Sequence, residues 1–127
     1  MPKAAREVPP PLELLCLRAL WSLREGSVKD VRRVVAESRP LAYTTIMTVL
    51  ERLVRKGRLA RRKAGRAFLY APLESRDALR RTAVRELLAG FFDGSEEELL
   101  RFLGERPEPL AVVDRRPADD RIDTVLL

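Results

Sequence analysis

Apolar residues in the first third of the chain recur at spacings of three and four, which is the rhythm of amphipathic helices. One such segment predicts a helix over Leu12 to Arg24, and Gly26 is its predicted end. A stripe of valines predicts a second helix from about Val28 to Glu37. Ser27 and Asp30 are spaced as in a capping box, which marks the start of this second helix.

A third helix is predicted near Thr44 to Lys56, because Pro40 ends the second helix and forces a short turn. One side of this helix is apolar, formed by Ile46, Val49, Leu50 and Leu53. The opposite side carries hydroxyl groups near its N-terminal end and guanidinium groups further on, and Gly57 is the predicted C-terminal cap. The candidate binding residues of this helix are Tyr43, Thr44, Thr45, Thr48, Arg52 and Arg55.

The helical rhythm stops at residue 58. Two short strand-like runs, residues 59–61 and 67–71, flank a basic tip at residues 62–66 and predict a β-hairpin. Gly65 supplies the positive φ that such a tip commonly needs. Phe68 and Tyr70 share one face of the second strand, so they are predicted to pack the hairpin against the core. The candidate binding residues of the tip are Arg62, Lys63 and Arg66.

The chain changes character after the hairpin. Ser75 is a plausible N-cap for a fourth helix that extends to about Phe92, and Ser95 caps a short fifth helix that Gly104 ends. The proline-containing remainder is predicted to be a flexible tail with a short extended piece at Leu110 to Val113. The predicted division of the chain is therefore 12–73, 74–104 and 105–127.

The fourth and fifth helices carry more apolar surface than a lone helical hairpin can cover. Pairing two copies about a two-fold axis would bury that surface, which predicts a homodimer. The alternative is that these helices fold back on their own N-terminal domain in a monomer. The candidate interface residues are Leu79, Ala83, Val84, Leu87, Leu88, Phe91, Leu99, Phe102 and Leu103.

Charge separates the two halves of the chain. The first 75 residues carry 16 Lys and Arg against 7 Asp and Glu, whereas the remaining residues carry 9 against 12. The densest basic segment, Arg52 to Arg66, contains no acidic residue. A basic excess confined to one part of the chain predicts a polyanionic partner for that part, although a solvated arginine-rich surface would give the same composition.

Composition also limits the chemistry. The chain has no histidine and a single cysteine, Cys16, which lies among leucines as a small core residue would. Histidine-based catalysis, a four-ligand zinc site and a disulfide framework are therefore excluded, and no cofactor is predicted. No segment approaches the roughly 20 apolar residues of a membrane span, and prolines stand where a signal peptide would be apolar. These features predict a cytoplasmic protein without membrane insertion.

Three helices followed by a two-stranded hairpin form the order of a winged helix-turn-helix domain. The predicted fold class is therefore mainly α with a small β-hairpin, followed by a helical dimerisation region. The major groove of DNA admits one helix, and the outward threonines and arginines of the third helix can reach base edges there. The basic tip would contact phosphates. A winged-helix adaptor for protein or RNA, without sequence-specific DNA binding, is the alternative, and an enzyme is not predicted.

The resemblance to a known family covers about Leu12 to Leu103. It is carried by Trp21, the run Ala42 to Gly57, the wing Gly65 to Pro72 and the bend Phe92-Asp93-Gly94-Ser95. These motifs resemble the penicillinase repressor family of winged-helix transcriptional regulators, the BlaI, MecI and CopY types. The resemblance implies a homodimeric repressor whose winged helix binds one half of an inverted-repeat operator of double-stranded DNA. It also implies an upstream sensor or protease as a further partner.

Two departures from the family pattern change what the resemblance implies about induction. The copper-responsive branch uses clustered C-terminal cysteines, which this chain lacks, so thiolate copper sensing is excluded. The position that resembles the cleavage point of the β-lactam-responsive branches is Arg101-Phe102 here, where well-known members have an Asn-Phe pair. This difference argues against induction by cleavage at that point.

Overall fold

The structure is a computed structural model and describes residues 7–105. The helices and strands of this part of the chain are α1 (Pro11–Leu23), α2 (Val28–Val35), α3 (Tyr43–Arg55), β1 (Leu59–Ala64), β2 (Ala67–Pro72), α4 (Arg76–Phe91) and α5 (Glu96–Glu105). The predicted fold class is confirmed, since three helices, a two-stranded antiparallel hairpin and two further helices follow in the expected order. The predicted tail lies outside the described residues, apart from Glu105, which ends α5.

The start of α2 is set by the predicted capping box. The backbone N–H of Asp30 donates to Ser27 Oγ at 3.2 Å, and the backbone N–H of Ser27 donates to Asp30 Oδ2 at 3.0 Å. The hydrogen bond from the Ser27 backbone is the main reason why the pKa of the Asp30 carboxyl is lowered. The helix ends at Val35, two residues before the predicted end, in a turn that leads to Pro40.

The turn of the hairpin is shorter than the sequence predicted. Strand β1 runs to Ala64 and pairs in register with β2, so that Arg62 lies opposite Leu69 and Lys63 lies opposite Phe68. The predicted tip at residues 62–66 is therefore wrong, and only residues 65–66 connect the strands. Gly65 has a φ of 64°, as predicted, and such a residue lets a two-residue turn join the strands without splaying them.

Gly26 does not end α1 but adds a bridge to the hairpin. Helix α1 ends at Leu23, and Arg24 takes a left-handed φ of 74° with its N–H bonded to the Leu20 carbonyl. The Gly26 N–H donates to the Tyr70 carbonyl at 3.0 Å, and the Tyr70 N–H donates to the Gly26 carbonyl at 2.8 Å. The base of the hairpin is thus hydrogen-bonded to the α1–α2 connection.

The core lies between α1, α2, α3 and the hairpin. Its fully buried members include Leu17, Val31, Leu50 and Tyr70, so each of these elements contributes its apolar side. Cys16 belongs to the same cluster, and burial raises the pKa of its thiol to about 12. A thiol in this state is a small apolar core residue, as the sequence predicted.

Serine caps begin the last two helices as predicted. Ser75 Oγ accepts from the Ala78 N–H at 3.0 Å, and Ser95 Oγ accepts from the Glu98 N–H at 3.1 Å. The bend between the helices contains Asp93 with a φ of 52°. Helix α5 continues past Gly104, contrary to prediction. Within residues 7–105, no helix has the length and apolar character to cross a membrane.

Candidate nucleic-acid interface

The side of α3 that faces away from the core is mainly polar, with Met47 exposed at one edge. Thr44, Thr48 and Arg55 are exposed, as is Tyr43 at the N-terminal end. Thr45 is half-buried. Ile46, Val49, Leu50 and Leu53 are buried on the inner side as predicted. Helix α3 therefore presents two hydroxyl groups and one guanidinium group outward in a single stripe, Thr44, Thr48 and Arg55.

This outward stripe is turned from the one that the sequence predicted. The predicted stripe ran through Thr45, Thr48, Arg52 and Arg55, and at 100° per residue the centre of the observed stripe lies roughly 40° away from it. Arg52 retains 44% of its side-chain exposure and points toward α1, where its Nη1 lies 3.6 Å from Glu13 Oε2. Arg52 is thus at the flank of the stripe and shares an ion pair with α1.

Glu13 is a buried acid that the sequence analysis missed. It is 1% exposed, and Lys56 Nζ donates to its two carboxylate oxygens at 3.0 and 2.8 Å. A buried carboxylate is costly unless it is paired, so Lys56 and Arg52 together satisfy it. The ion pairs join the N-terminal end of α1 to the C-terminal end of α3. The sequence signal was a lone acid among the leucines of an apolar helix.

Glu51 connects α3 to the hairpin on the other flank. The Tyr70 hydroxyl donates to Glu51 Oε2 at 2.6 Å, and Arg61 Nη1 donates to both carboxylate oxygens at 2.7 and 2.8 Å. The Arg61 guanidinium also lies 4.4 Å from the centre of the Phe68 ring. Tyr70 is buried as predicted, whereas Phe68 is exposed and packs on Arg61 instead of the core.

Hydrogen bonding by Tyr70, followed by that of Arg61, lowers the pKa of the Glu51 carboxyl. A lowered pKa in the folded state adds stability above the ordinary carboxyl range, and this stability is lost as the pH falls through the folded-state pKa. We expect Tyr70→Phe to raise the pKa of Glu51 and to cost about 1.5–3 kcal/mol at neutral pH. Urea unfolding at neutral and strongly acidic pH measures this, and an equal loss at both would contradict it.

The basic residues of the hairpin divide into paired and unpaired groups. Arg62 donates from Nε and Nη2 to the two oxygens of Glu25 at 2.8 and 2.9 Å, and this ion pair lowers the pKa of the Glu25 carboxyl. Lys63 and Arg66 are exposed, and neither forms an ion pair in residues 7–105. Lys63 and Arg66 are therefore the cations of the hairpin that a phosphate can reach without displacing a carboxylate.

Arg58 does not belong to the basic surface at all. It is 2% exposed, and its Nη1 donates to Glu74 Oε1 at 2.5 Å. Its Nη2 donates to the Glu7 carbonyl. The Glu74 carbonyl in turn accepts from Trp21 Nε1 at 3.0 Å. Arg58 thus ties the segment before α4 to the winged-helix core, and the densest basic stretch of the sequence includes a structural arginine.

The candidate interface residues of the last two helices fall into two groups. Leu79 belongs to the core cluster, and Leu88 is also buried, while Ala83, Leu99 and Leu103 are half-buried. The exposed group is Val84, Leu87, Phe91 and Phe102. Phe91 is 80% exposed, which is unusual for so large an apolar side chain. Leu100 is also 66% exposed and was missed because it lies beside the predicted stripe of α5.

The fold and the polar face of α3 define a winged helix-turn-helix protein with a C-terminal helical pair. The sequence model of the penicillinase repressor family matches residues 10–115. The chain is 38% identical over 97 residues to the transcriptional regulator BlaI of Mycobacterium tuberculosis, which covers 75% of this chain and 70% of that protein. The chain belongs to the penicillinase repressor family, whose members are transcriptional regulators and not enzymes.

Solved structures with a related fold include two DNA-binding proteins. One is monomeric BlaI of Bacillus licheniformis in complex with the blaP half-operator, at 27% identity and a TM-score of 0.48, covering 57% of this chain and 90% of that one. The other is BpsR of Bordetella bronchiseptica, at 19% identity and a TM-score of 0.50, covering 99% of this chain and 80% of that one. The likeness to BpsR is one of fold.

Proposed function

We propose that this protein is a transcriptional repressor that binds an inverted-repeat operator as a homodimer, with α3 in the major groove and the wing along the phosphates. The observation that carries the proposal is the outward stripe of Thr44, Thr48 and Arg55 on a helix whose other side is buried. Threonine can contact base edges or the thymine methyl, and arginine can bind guanine with two hydrogen bonds. Occupying a promoter in the cytoplasm would block transcription.

The flanks of α3 support the same docking. Lys63 and Arg66 extend from the hairpin beside α3 and are free to bind phosphates, which fixes the register without reading sequence. Arg52 and Thr45 lie at the other flank of the stripe. The ion pair of Arg62 with Glu25 gives Arg62 a supporting role, because it joins β1 to the α1–α2 connection. We therefore assign the direct wing contacts to Lys63 and Arg66.

Dimerisation is proposed from the apolar surface of α4 and α5. Val84, Leu87, Phe91, Leu100 and Phe102 are all exposed in the single chain, and burying them between two copies removes apolar area from water. A two-fold axis through this surface would place two α3 helices on one side of the duplex, about one helical turn apart. That spacing matches the two halves of an inverted repeat.

DNA titrations at several salt concentrations test the proposed contacts. The protein's own upstream region should bind roughly 10³-fold or more tightly than bulk DNA. We expect Arg55→Ala to cost about 1–3 kcal/mol and to relax base preference, whereas Lys63→Ala should weaken all DNA about equally and reduce the salt slope by about 1. Arg81→Ala is the matched control, because Arg81 is an exposed arginine on α4 paired with Asp77.

Three results would contradict the assignment. Weak binding with a steep salt dependence and no preferred site would indicate an adaptor without sequence-specific DNA binding. Equal losses of base preference in the Arg55 and Lys63 variants would contradict the division between reading and positioning contacts. A loss of DNA affinity in Arg81→Ala equal to that in Lys63→Ala would place the DNA on a different surface.

A further inference from the structure

A cavity of about 300 Å³ lies between α1 and the N-terminal half of α4. Its apolar wall includes Leu14, Trp21 and Leu79. The indole of Trp21 is held in place because its Nε1 donates to the Glu74 carbonyl at 3.0 Å. The volume is at the lower end of the range for small-molecule sites, so the cavity fits a compact ligand of about one ring.

Three arginines, Arg18, Arg76 and Arg80, surround this apolar wall, and none of the described residues that line the cavity is acidic. All three are exposed, and none forms an ion pair with a carboxylate in the described part of the chain. The Arg76 guanidinium lies 5.7 Å from the centre of the Trp21 ring. Three unpaired guanidinium groups around an apolar wall favour an anion with an apolar body.

Two acidic residues close to the cavity, Glu37 and Glu86, do not form ion pairs with these arginines. Glu37 lines the neighbouring cavity, which Arg18 and Arg76 also line, yet it forms no ion pair with either. Glu86 accepts a hydrogen bond from the Val8 N–H at 3.2 Å. Within residues 7–105 the three guanidinium groups are therefore without a carboxylate partner and can bind an incoming anion.

We propose that this cavity binds a small organic acid, in which one ring or a short branched chain contacts the apolar wall and a single carboxylate binds the arginines. Inorganic phosphate lacks the apolar body that Leu14, Trp21 and Leu79 would contact. A nucleotide would exceed the volume. The carboxylate would accept charge-assisted hydrogen bonds, which are roughly twice as strong as neutral ones.

The position of the cavity gives such a ligand a route to DNA binding. A ligand that contacts α1 and α4 together fixes how the helical pair is oriented on the winged helix. In a dimer joined through α4 and α5, this orientation sets the distance between the two α3 helices. This second step rests on the proposed function, and by linkage the acid and the operator would change each other's affinity by the same factor.

Binding is tested directly with benzoate and the full chain. Trp21 is the only tryptophan, so its fluorescence reports on the cavity. We expect a saturable change with benzoate, and none with neutral benzamide or with inorganic phosphate at the same ionic strength. Arg80→Gln should weaken binding about tenfold or more, since that corresponds to losing one charge-assisted hydrogen bond. Arg81→Gln, on the same helix but outside the cavity, should bind as the parent does.

A second variant tests the space in the cavity separately from the charge of its arginines. Ala83→Leu keeps all three arginines and fills part of the cavity, so it should also abolish the benzoate response while the thermal unfolding midpoint stays within a few degrees. The absence of a saturable response to benzoate, an equal response to benzamide or phosphate, or wild-type binding by Ala83→Leu would each overturn the site.

The coupling to DNA is measured by repeating the operator titration with saturating benzoate. The regulatory step is supported if benzoate changes the operator affinity and Arg80→Gln removes that change. An unchanged operator affinity would overturn the regulatory step but not the binding site. A chain that binds benzoate but no operator would refute the proposed function and not the cavity.

Discussion

Phe91→Asp is expected to convert the proposed dimer into monomers at micromolar concentration and to weaken binding to a complete operator by about 100-fold or more. The physical reason is that a carboxylate would be placed on the exposed apolar surface that two copies would bury in the proposed dimer. Loss of the second half-site contact then removes the avidity of a two-site complex, which is typically 10²–10⁴-fold. Analytical ultracentrifugation and titrations of half and complete operators measure the two effects.

The matched control for this change is Leu73→Asp. Leu73 is 60% exposed and lies between β2 and α4, away from the proposed dimer surface. The Leu73→Asp protein should remain dimeric and bind the operator as the parent does. A dimeric Phe91→Asp protein would refute the proposed interface. Dissociation caused by Leu73→Asp would indicate that the interface lies closer to the hairpin. Affinity for a half operator should be nearly unchanged in Phe91→Asp, because the winged helix is intact.

Arg58→Ala is expected to destabilise the chain by about 3–5 kcal/mol, because it removes one partner of a buried ion pair. Glu74 would lose its guanidinium partner, and the Glu7 carbonyl would lose its donor. The measurement is urea-induced unfolding followed by circular dichroism.

Two further variants distinguish the effect of burying the Arg58–Glu74 ion pair from the effect of losing a charge. Arg81→Ala removes an exposed ion-paired arginine and should change the free energy of unfolding little, since exposed pairs contribute at most about 1 kcal/mol. Glu74→Gln combined with Arg58→Met removes both charges and should restore much of the lost stability. A small effect of Arg58→Ala would show that the pair is not buried in solution.

The elements could be predicted from the sequence wherever the signal is local. Apolar spacing located all five helices, and the capping box at Ser27 and the serine caps at Ser75 and Ser95 identified three helix starts within a residue. The errors occurred where local signals compete. Gly26 looked like a helix end, yet Arg24 adopts the left-handed conformation, which leaves Gly26 for the bridge to Tyr70.

The candidate site was predicted less completely, because a run of basic residues does not reveal which of them are paired. The partners lie far along the chain: Lys56 is 43 residues from Glu13, Arg62 is 37 from Glu25, and Tyr70 is 19 from Glu51. No periodicity in a single sequence encodes such pairings. They decide which polar side chains on the flanks of α3 and which cations of the hairpin are free, so the residue types were predictable and their pairing was not.

The Gly26–Tyr70 bridge fixes the base of the β1–β2 hairpin and leaves its turn more free to move. Two backbone hydrogen bonds attach the base of the hairpin to the α1–α2 connection, whereas within residues 7–105 the turn at residues 65–66 is held only by the pairing of β1 with β2. When a hairpin fixed at its base flexes, the displacement is largest at its turn. In the proposed complex, operators whose phosphates differ in position would therefore be accommodated by small displacements of the turn, without any rotation of α3 against the bases.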